Sequence, residues 1–291
     1  MPSDITYPDA VAIVKVVYYS PALPLSLYVS AKHGFSRSSG WIFLAIFCII
    51  RIIGAAAQLV TINNSSSDTP YTIALICTVL GLSPLLLSTL GLVSRVVYSI
   101  LQHPWKTIYS LTLLRMIQVP ATVALILCIV GATSADNPAD IISETTVHVG
   151  IILFTAVLAA LVLLTGLAAV GRKKTARGEK SLIVAVALAL PFLAVRTIYG
   201  LLAAFSNDRR FEPGTGSTTI SLLMEVLPEM AIVFIYLIVG VKSPALPREE
   251  DHARSAGSKI RRGGFTGAKF GLLSMAVHAG REAYNSKNQS A

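Results

Sequence analysis

An all-α, polytopic membrane protein of seven transmembrane helices, N-terminus outside and C-terminus cytoplasmic, is the fold class this sequence predicts. Three observations predict it. Hydrophobic residues make up 54% of the chain and charged residues 13%, against roughly a quarter charged in a soluble domain, so most of the 291 residues need lipid as solvent. Seven runs of about 20 apolar residues, the length that crosses a bilayer, occupy 10–30, 41–62, 71–92, 110–132, 147–170, 181–205 and 218–241. Basic residues fall in alternate connections, which orients the spans.

Run 10–30 is the least apolar, with Lys15, Pro21, Pro24 and three tyrosines. No basic segment precedes it, so it is read as an uncleaved first span. Run 41–62 begins at Trp41 and carries Arg51; it ends at Asn63-Asn64-Ser65-Ser66, two overlapping glycosylation sequons in an expected outside loop. Run 71–92 is uncharged, whereas run 110–132 holds Arg115 near its cytoplasmic end, where a long side chain snorkels to the headgroups. Run 147–170 is uncharged. Run 181–205 carries Pro191 and Arg196, and run 218–241 carries Glu225, Pro228 and Glu229. Trp41 and Trp105 fall at the expected cytoplasmic interface, where indole rings prefer to sit.

The connections after spans one, three and five hold Lys32 and Arg37, then Arg95 and Lys106, then Arg172, Lys173, Lys174, Arg177 and Lys180. The opposite loops hold Arg209 and Arg210 beside Asp68, Asp136, Asp140, Glu144, Asp208 and Glu212. By the positive-inside rule the basic side is cytoplasmic. The chain divides into a transmembrane domain, 1–243, and a basic cytoplasmic tail, 244–291. In the tail a disordered linker, PREEDHARSAG, precedes a membrane-surface helix at 269–284. The net charge of +9 comes largely from loop 171–180 and the tail, so the expected partners are membrane lipids with anionic headgroups and not nucleic acid.

Arg51, Arg196, Glu225 and Glu229 lie where lipid disfavours charge. At 1.5 Å per residue all four fall roughly 10 to 17 Å below the outer boundary, so they can meet in one layer. Glu225 and Glu229, four residues apart, project from one helix face. A lone charge at a span centre costs at least about 2.5 kcal/mol, which makes pairing close to obligatory. Lys15 either adds a fifth charge nearer the outer mouth or snorkels to the interface. Tyr199 and Gln58 face the same interior by spacing. Pro191 and Pro228 free backbone carbonyls and permit the kinks that line cavities. Two readings stand side by side: a clasp that selects the packing of spans two, six and seven, and a ligand or ion site.

Cys48, Cys77 and Cys128 all lie in apolar runs and read as small core residues. The five histidines are scattered with no CxxC or HExxH, so no metal site and no cofactor are expected. No G-x-S-x-G, P-loop or Rossmann pattern is present, so no catalytic residue is assigned and an enzyme is the weakest reading. Arg-Ile-Ile-Gly at Arg51 and Arg-Thr-Ile-Tyr-Gly at Arg196 hint at a parallel duplication, but the match is short and needs a gap, so chance explains it better.

GFSRSSGWIFL leading into span two, Arg51 within it, LPFLAVRTIYGLLAAF in span six and LMEVLPEMAIVFIYLIVG in span seven resemble an uncharacterised family of fungal seven-span integral membrane proteins. The resemblance covers nearly all the spans but not the tail. It implies the topology and carries no activity, substrate or partner.

Function is expected from topology: a receptor-like or sensor protein of the plasma membrane or another secretory-pathway membrane, read out through a basic third cytoplasmic loop and tail, with a small apolar ligand as candidate effector. The alternative is a transporter or exporter of small amphipathic or lipid-like molecules coupled through the midplane charges.

Overall fold

The computed structural model describes residues 6–33, 39–63, 68–100, 104–134, 141–142, 144–170, 177–206, 208–214 and 216–243. Every regular element among them is helical: α1 (Tyr7–His33), α2 (Ser39–Asn63), α3 (Asp68–Leu80), α4 (Leu82–Ile100), α5 (Pro104–Ser134), α6 (Thr145–Val170), α7 (Arg177–Phe205), α8 (Thr218–Ser221) and α9 (Leu227–Lys242). A short 3-10 turn at Arg209–Phe211 follows α7, and a π-helical turn at Leu222–Val226 joins α8 to α9. Seven helical stretches are long and apolar enough to cross a membrane, α3 with α4 forming the third and α8 through α9 the seventh. The chain is a multi-pass membrane protein. Loop 171–176, the tail with its expected surface helix, and the second sequon asparagine lie outside the described residues.

The helices extend past the apolar runs because polar ends continue the backbone ladder and cap it. At the start of α1 the Asp9 carboxylate accepts from the Thr6 backbone N–H at 3.0 Å and from the Thr6 hydroxyl, the first of these being one half of a capping box. Pro104 opens α5, where its missing N–H costs nothing.

Neighbours in sequence pack on one another, and α9 returns to α1 and α7, closing a ring. The third span leans into its middle: α4 touches α2, α5, α6 and α7. All ten residues from Gly81 to Leu90 are buried, and 61% of this span's most apolar window is inside the bundle, against 28% for the first and fourth spans. One of the third span's hydroxyls ties it to the last span. Thr89 donates to the Leu85 carbonyl at 2.8 Å and accepts from the Tyr236 hydroxyl on α9 at 2.7 Å. The outward faces are the apolar ones that lipid solvates: Val17, Met116, Leu163 and Leu167 are 68% to 70% exposed.

Trp41, expected near the cytoplasmic interface, packs inside the bundle. Its ring is fully buried, stacked on His33 with centroids 5.7 Å apart. It fills the space left by Gly240, where a Cβ would come within 2.8 Å of the indole. His33 donates from Nε2 to the Gly240 carbonyl at 2.9 Å, and its Nδ1 accepts from Arg95 at 3.3 Å. Lys32 donates to the Val241 carbonyl at 2.6 Å, so α1 caps the last turn of α9 with basic side chains. The Trp105 side chain lies outside the described residues.

Glycine sets the closest helix approach. A Cβ at Gly40 would lie 2.8 Å from the Ser88 carbonyl oxygen and 3.1 Å from the Leu92 nitrogen, both backbone atoms that cannot swing aside. Gly40→Val is therefore expected to destabilise the protein by about 1–3 kcal/mol, the usual cost of overpacking. Gly166→Ala, with open space around the new methyl, should leave the midpoint unchanged or slightly raised. Thermal unfolding of the two variants in detergent checks the pair.

Candidate functional site

Four charges from three spans meet inside the bundle. Arg51 comes from the middle of α2, Arg196 from α7, Glu225 from the π turn and Glu229 from the first turn of α9, and none is more than 3% exposed. Glu229 Oε1 accepts from Arg196 Nε at 2.7 Å and from Arg51 Nη2. Glu225 Oε1 lies 3.1 Å from Arg51 Nη1 and 3.8 Å from Arg196 Nη2, as ion pairs with no aligned hydrogen bond. Glu225 Oε2 accepts from the Ser221 hydroxyl at 3.1 Å. Two cations and two anions leave the set neutral, the condition for burying it. Aromatic rings add to it: the Arg51 guanidinium carbon is 5.5 Å from the Phe47 centroid, and that of Arg196 is 5.8 Å from Tyr199.

Two breaks in regular helix make this geometry. The first is the π turn. Pro228 has no N–H and its ring crowds the carbonyl four residues back. The widened turn accommodates it, with the Leu227 N–H reaching the Leu222 carbonyl five residues earlier. Glu225 sits within this turn and Glu229 one turn further along the same face. The second break is at Gly81, between α3 and α4. Pro84, lacking an N–H, leaves the Leu80 carbonyl without its helical donor. Nearby, the Thr78 carbonyl accepts from Arg196 Nη2 at 2.9 Å. A Cβ at Gly81 would stand 2.5 Å from Arg51 Nη2 and 2.8 Å from its Cζ, so only glycine lets the guanidinium lie against this backbone. Irregular backbone at membrane depth is tolerated only where protein buries it or a polar cavity receives it.

Both conditions hold, because a cavity of about 230 Å³ runs from the loop after α7 down to Glu225. Lys15 and Gln58 line it from α1 and α2, Tyr71 and Thr78 from α3, and Ser217 and Ser221 from the start of the last span. Asp9 and Glu212 also line it. The rim is a hydrogen-bonded loop: Asp208 accepts from the Arg210 N–H at 3.1 Å, and Ser217 N–H donates to the Arg210 carbonyl at 2.9 Å. Gly214 adopts φ +92°, a left-handed conformation natural to glycine, directly beneath the Tyr71 hydroxyl.

Of the residues singled out by sequence, Arg51, Arg196, Glu225 and Glu229 come together. Tyr199 stands beside them, 2% exposed. Gln58 and Lys15 line the cavity instead. The Gln58 amide donates to the Pro8 carbonyl at 3.2 Å, tying α1 to α2. Lys15 makes no hydrogen bond or ion pair with a described residue. Sequence reasoning missed Ser221, the Thr78 carbonyl and Gly81. The signal for the last was Gly81-Leu-Ser-Pro84, a glycine and a proline within one turn of an apolar run.

The two glutamates are unequal. Glu229 holds both arginines directly, so Glu229→Gln leaves excess positive charge buried and should cost about 3–5 kcal/mol. Glu225→Gln leaves the same excess charge but breaks only the longer ion pairs and one hydrogen bond from a hydroxyl, so it should cost less than Glu229→Gln. Unfolding midpoints of the two variants in the same detergent test the order.

No curated protein and no solved structure matches the chain. The profile of one protein family, described as a domain of unknown function (DUF7702), matches residues 5–245, which takes in every span and both helix breaks. The chain belongs to that family, the DUF7702 family of unknown function.

Proposed function

We propose that this is a receptor-like or sensor membrane protein that binds a small polar solute in the cavity above Glu225. One observation carries the reading: the cavity ends on a carboxylate that is also a member of the charge set joining α2, α7 and α9. A solute that engages Glu225 changes the balance of the Arg51 and Arg196 pairings, and so favours one arrangement of three helices over another. Ligand and helix packing are thereby linked through a single side chain. A cavity of about 230 Å³ suits a small molecule. The polar lining favours a polar ligand over the small apolar one suggested by hydropathy. By the distribution of basic residues the cavity faces outside and loop 171–180 with the tail faces the cytoplasm and its anionic headgroups.

A transporter is the second reading, favoured by the Gly81 break and the π turn. Discontinuous helices at a midplane site are the usual construction of alternating-access proteins. A flux of solute through proteoliposomes would select this reading. The absence of flux in protein that still binds would select the sensor.

Sidedness tests the proposal at its root. Because the span motifs resemble fungal proteins, yeast is the natural host. Ala74→Cys places a thiol in the cavity wall and Lys242→Cys places one at the opposite end of the bundle, while the three native cysteines are buried. In sealed microsomes, cytoplasmic face outward, a membrane-impermeant thiol reagent should label Lys242→Cys at once and Ala74→Cys only after permeabilisation. The reverse order would mean a cavity that opens to the cytoplasm and would sink the sensor reading.

A further inference from the structure

We propose that the cavity takes a small zwitterion carrying a protonated amine and a carboxylate, the chemistry of a free α-amino acid. This rests on the reading of the cavity as a ligand site and adds the class of ligand. Two opposite charges line the cavity. Glu225 is 1% exposed and lines it; its Oε1 is ion-paired with Arg51 at 3.1 Å without an aligned hydrogen bond, and its Oε2 accepts from the Ser221 hydroxyl at 3.1 Å. Lys15, on the facing helix α1, lines the same space, and its ammonium has three donors but no acceptor among the described residues. A ligand ammonium brings donors of matching charge to the Glu225 carboxylate. The ligand carboxylate in turn answers Lys15.

The surroundings oppose a simple anion most, and Lys15 opposes a simple cation at its own wall. The Arg51, Arg196, Glu225 and Glu229 set is neutral by itself, so it calls for no excess charge of either sign. A simple anion would face Asp9 and Glu212 on the way in, and a simple cation would face Lys15. A zwitterion satisfies both walls at once. Hydroxyls of Thr61, Tyr71 and Ser217 on the remaining wall serve either end of the ligand. A cavity of about 230 Å³ suits a molecule the size of the smaller amino acids.

The test is the thermal midpoint of the purified full-length protein titrated with each standard L-amino acid, glycine betaine and glucose. At least one small amino acid is expected to raise the midpoint saturably. Glycine betaine keeps both charges but has no N–H to give Glu225, and should bind at least tenfold more weakly. Lys15→Gln should weaken the amino acid at least tenfold, and Lys15→Arg should restore most of the loss. No response to any amino acid, an equal response to glycine betaine, or an unchanged affinity in Lys15→Gln each overturns the proposal. Should Lys15→Gln fail to fold, the glycine betaine comparison decides alone. A response to glucose only removes the zwitterion and leaves the cavity as a ligand site. If glucose fails as well and Ala74→Cys resists the thiol reagent in permeabilised membranes, the ligand-site reading falls with it.

Discussion

One carboxylate oxygen, Glu229 Oε1, accepts from two arginines on two other helices, and the arrangement of the bundle follows from that shared acceptor. A charge at a span centre costs about 2.5–3.5 kcal/mol on insertion scales whether or not the helices have packed. Pairing recovers part of a cost already incurred on entering the membrane. That makes the cluster a selector of partners more than a source of net stability, since apolar helices packed without it would be no less well solvated by lipid. Arg196 reaches the shared oxygen from α7, which packs on α9, and Arg51 reaches it from α2 across the bundle interior, while α1 packs on the other side of α9.

The surrounding backbone bends to the same requirement. Gly81 gives the Arg51 guanidinium its place, the interrupted third span yields the Thr78 carbonyl to Arg196, and the π turn sets Glu225 over Glu229. Irregular backbone at membrane depth needs protein or a polar cavity around it, and here Arg196 meets the Thr78 carbonyl while Ser221 lines the cavity. The site and the helix breaks are one construction. At the other end of the bundle a smaller polar group, His33 with Arg95 and Lys32, closes α1 onto the end of α9 with Trp41 packed beneath. The last span is thus held at both ends by charged side chains from its neighbours, which leaves its wide turn as the least regular backbone in contact with a cavity.

Proline placement accounts for much of this chemistry. Pro84 and Pro228 fall within a few residues of the breaks, whereas Pro21, Pro24, Pro120 and Pro191 lie inside helices that continue past them. The difference lies in the neighbours. At Gly81 a guanidinium and at Ser221 a hydroxyl meet the cluster or its carboxylate, so departure from the helical ladder brings compensation there and would bring none on a lipid-facing turn.

Hydropathy and charge by themselves determined the seven spans, the layer in which the four buried charges meet and the face on which both glutamates lie, because these depend on length, period and rise per residue, all local properties of a helix. Chain chemistry also marked Tyr199 as a companion of Arg196 through a spacing of three. Tertiary structure alone decided which carboxylate is shared, why Lys15 and Gln58 line a cavity and stand apart from the cluster, and that the third span occupies the centre. It also decided that Trp41 is buried, since the vacancy it fills is made by Gly240, some 200 residues away along the chain. Those outcomes depend on which helix faces which at close range. Apolar periodicity is nearly blind to that choice in a membrane, where every outward face is equally greasy and only the rare charge, glycine or proline distinguishes one neighbour from another.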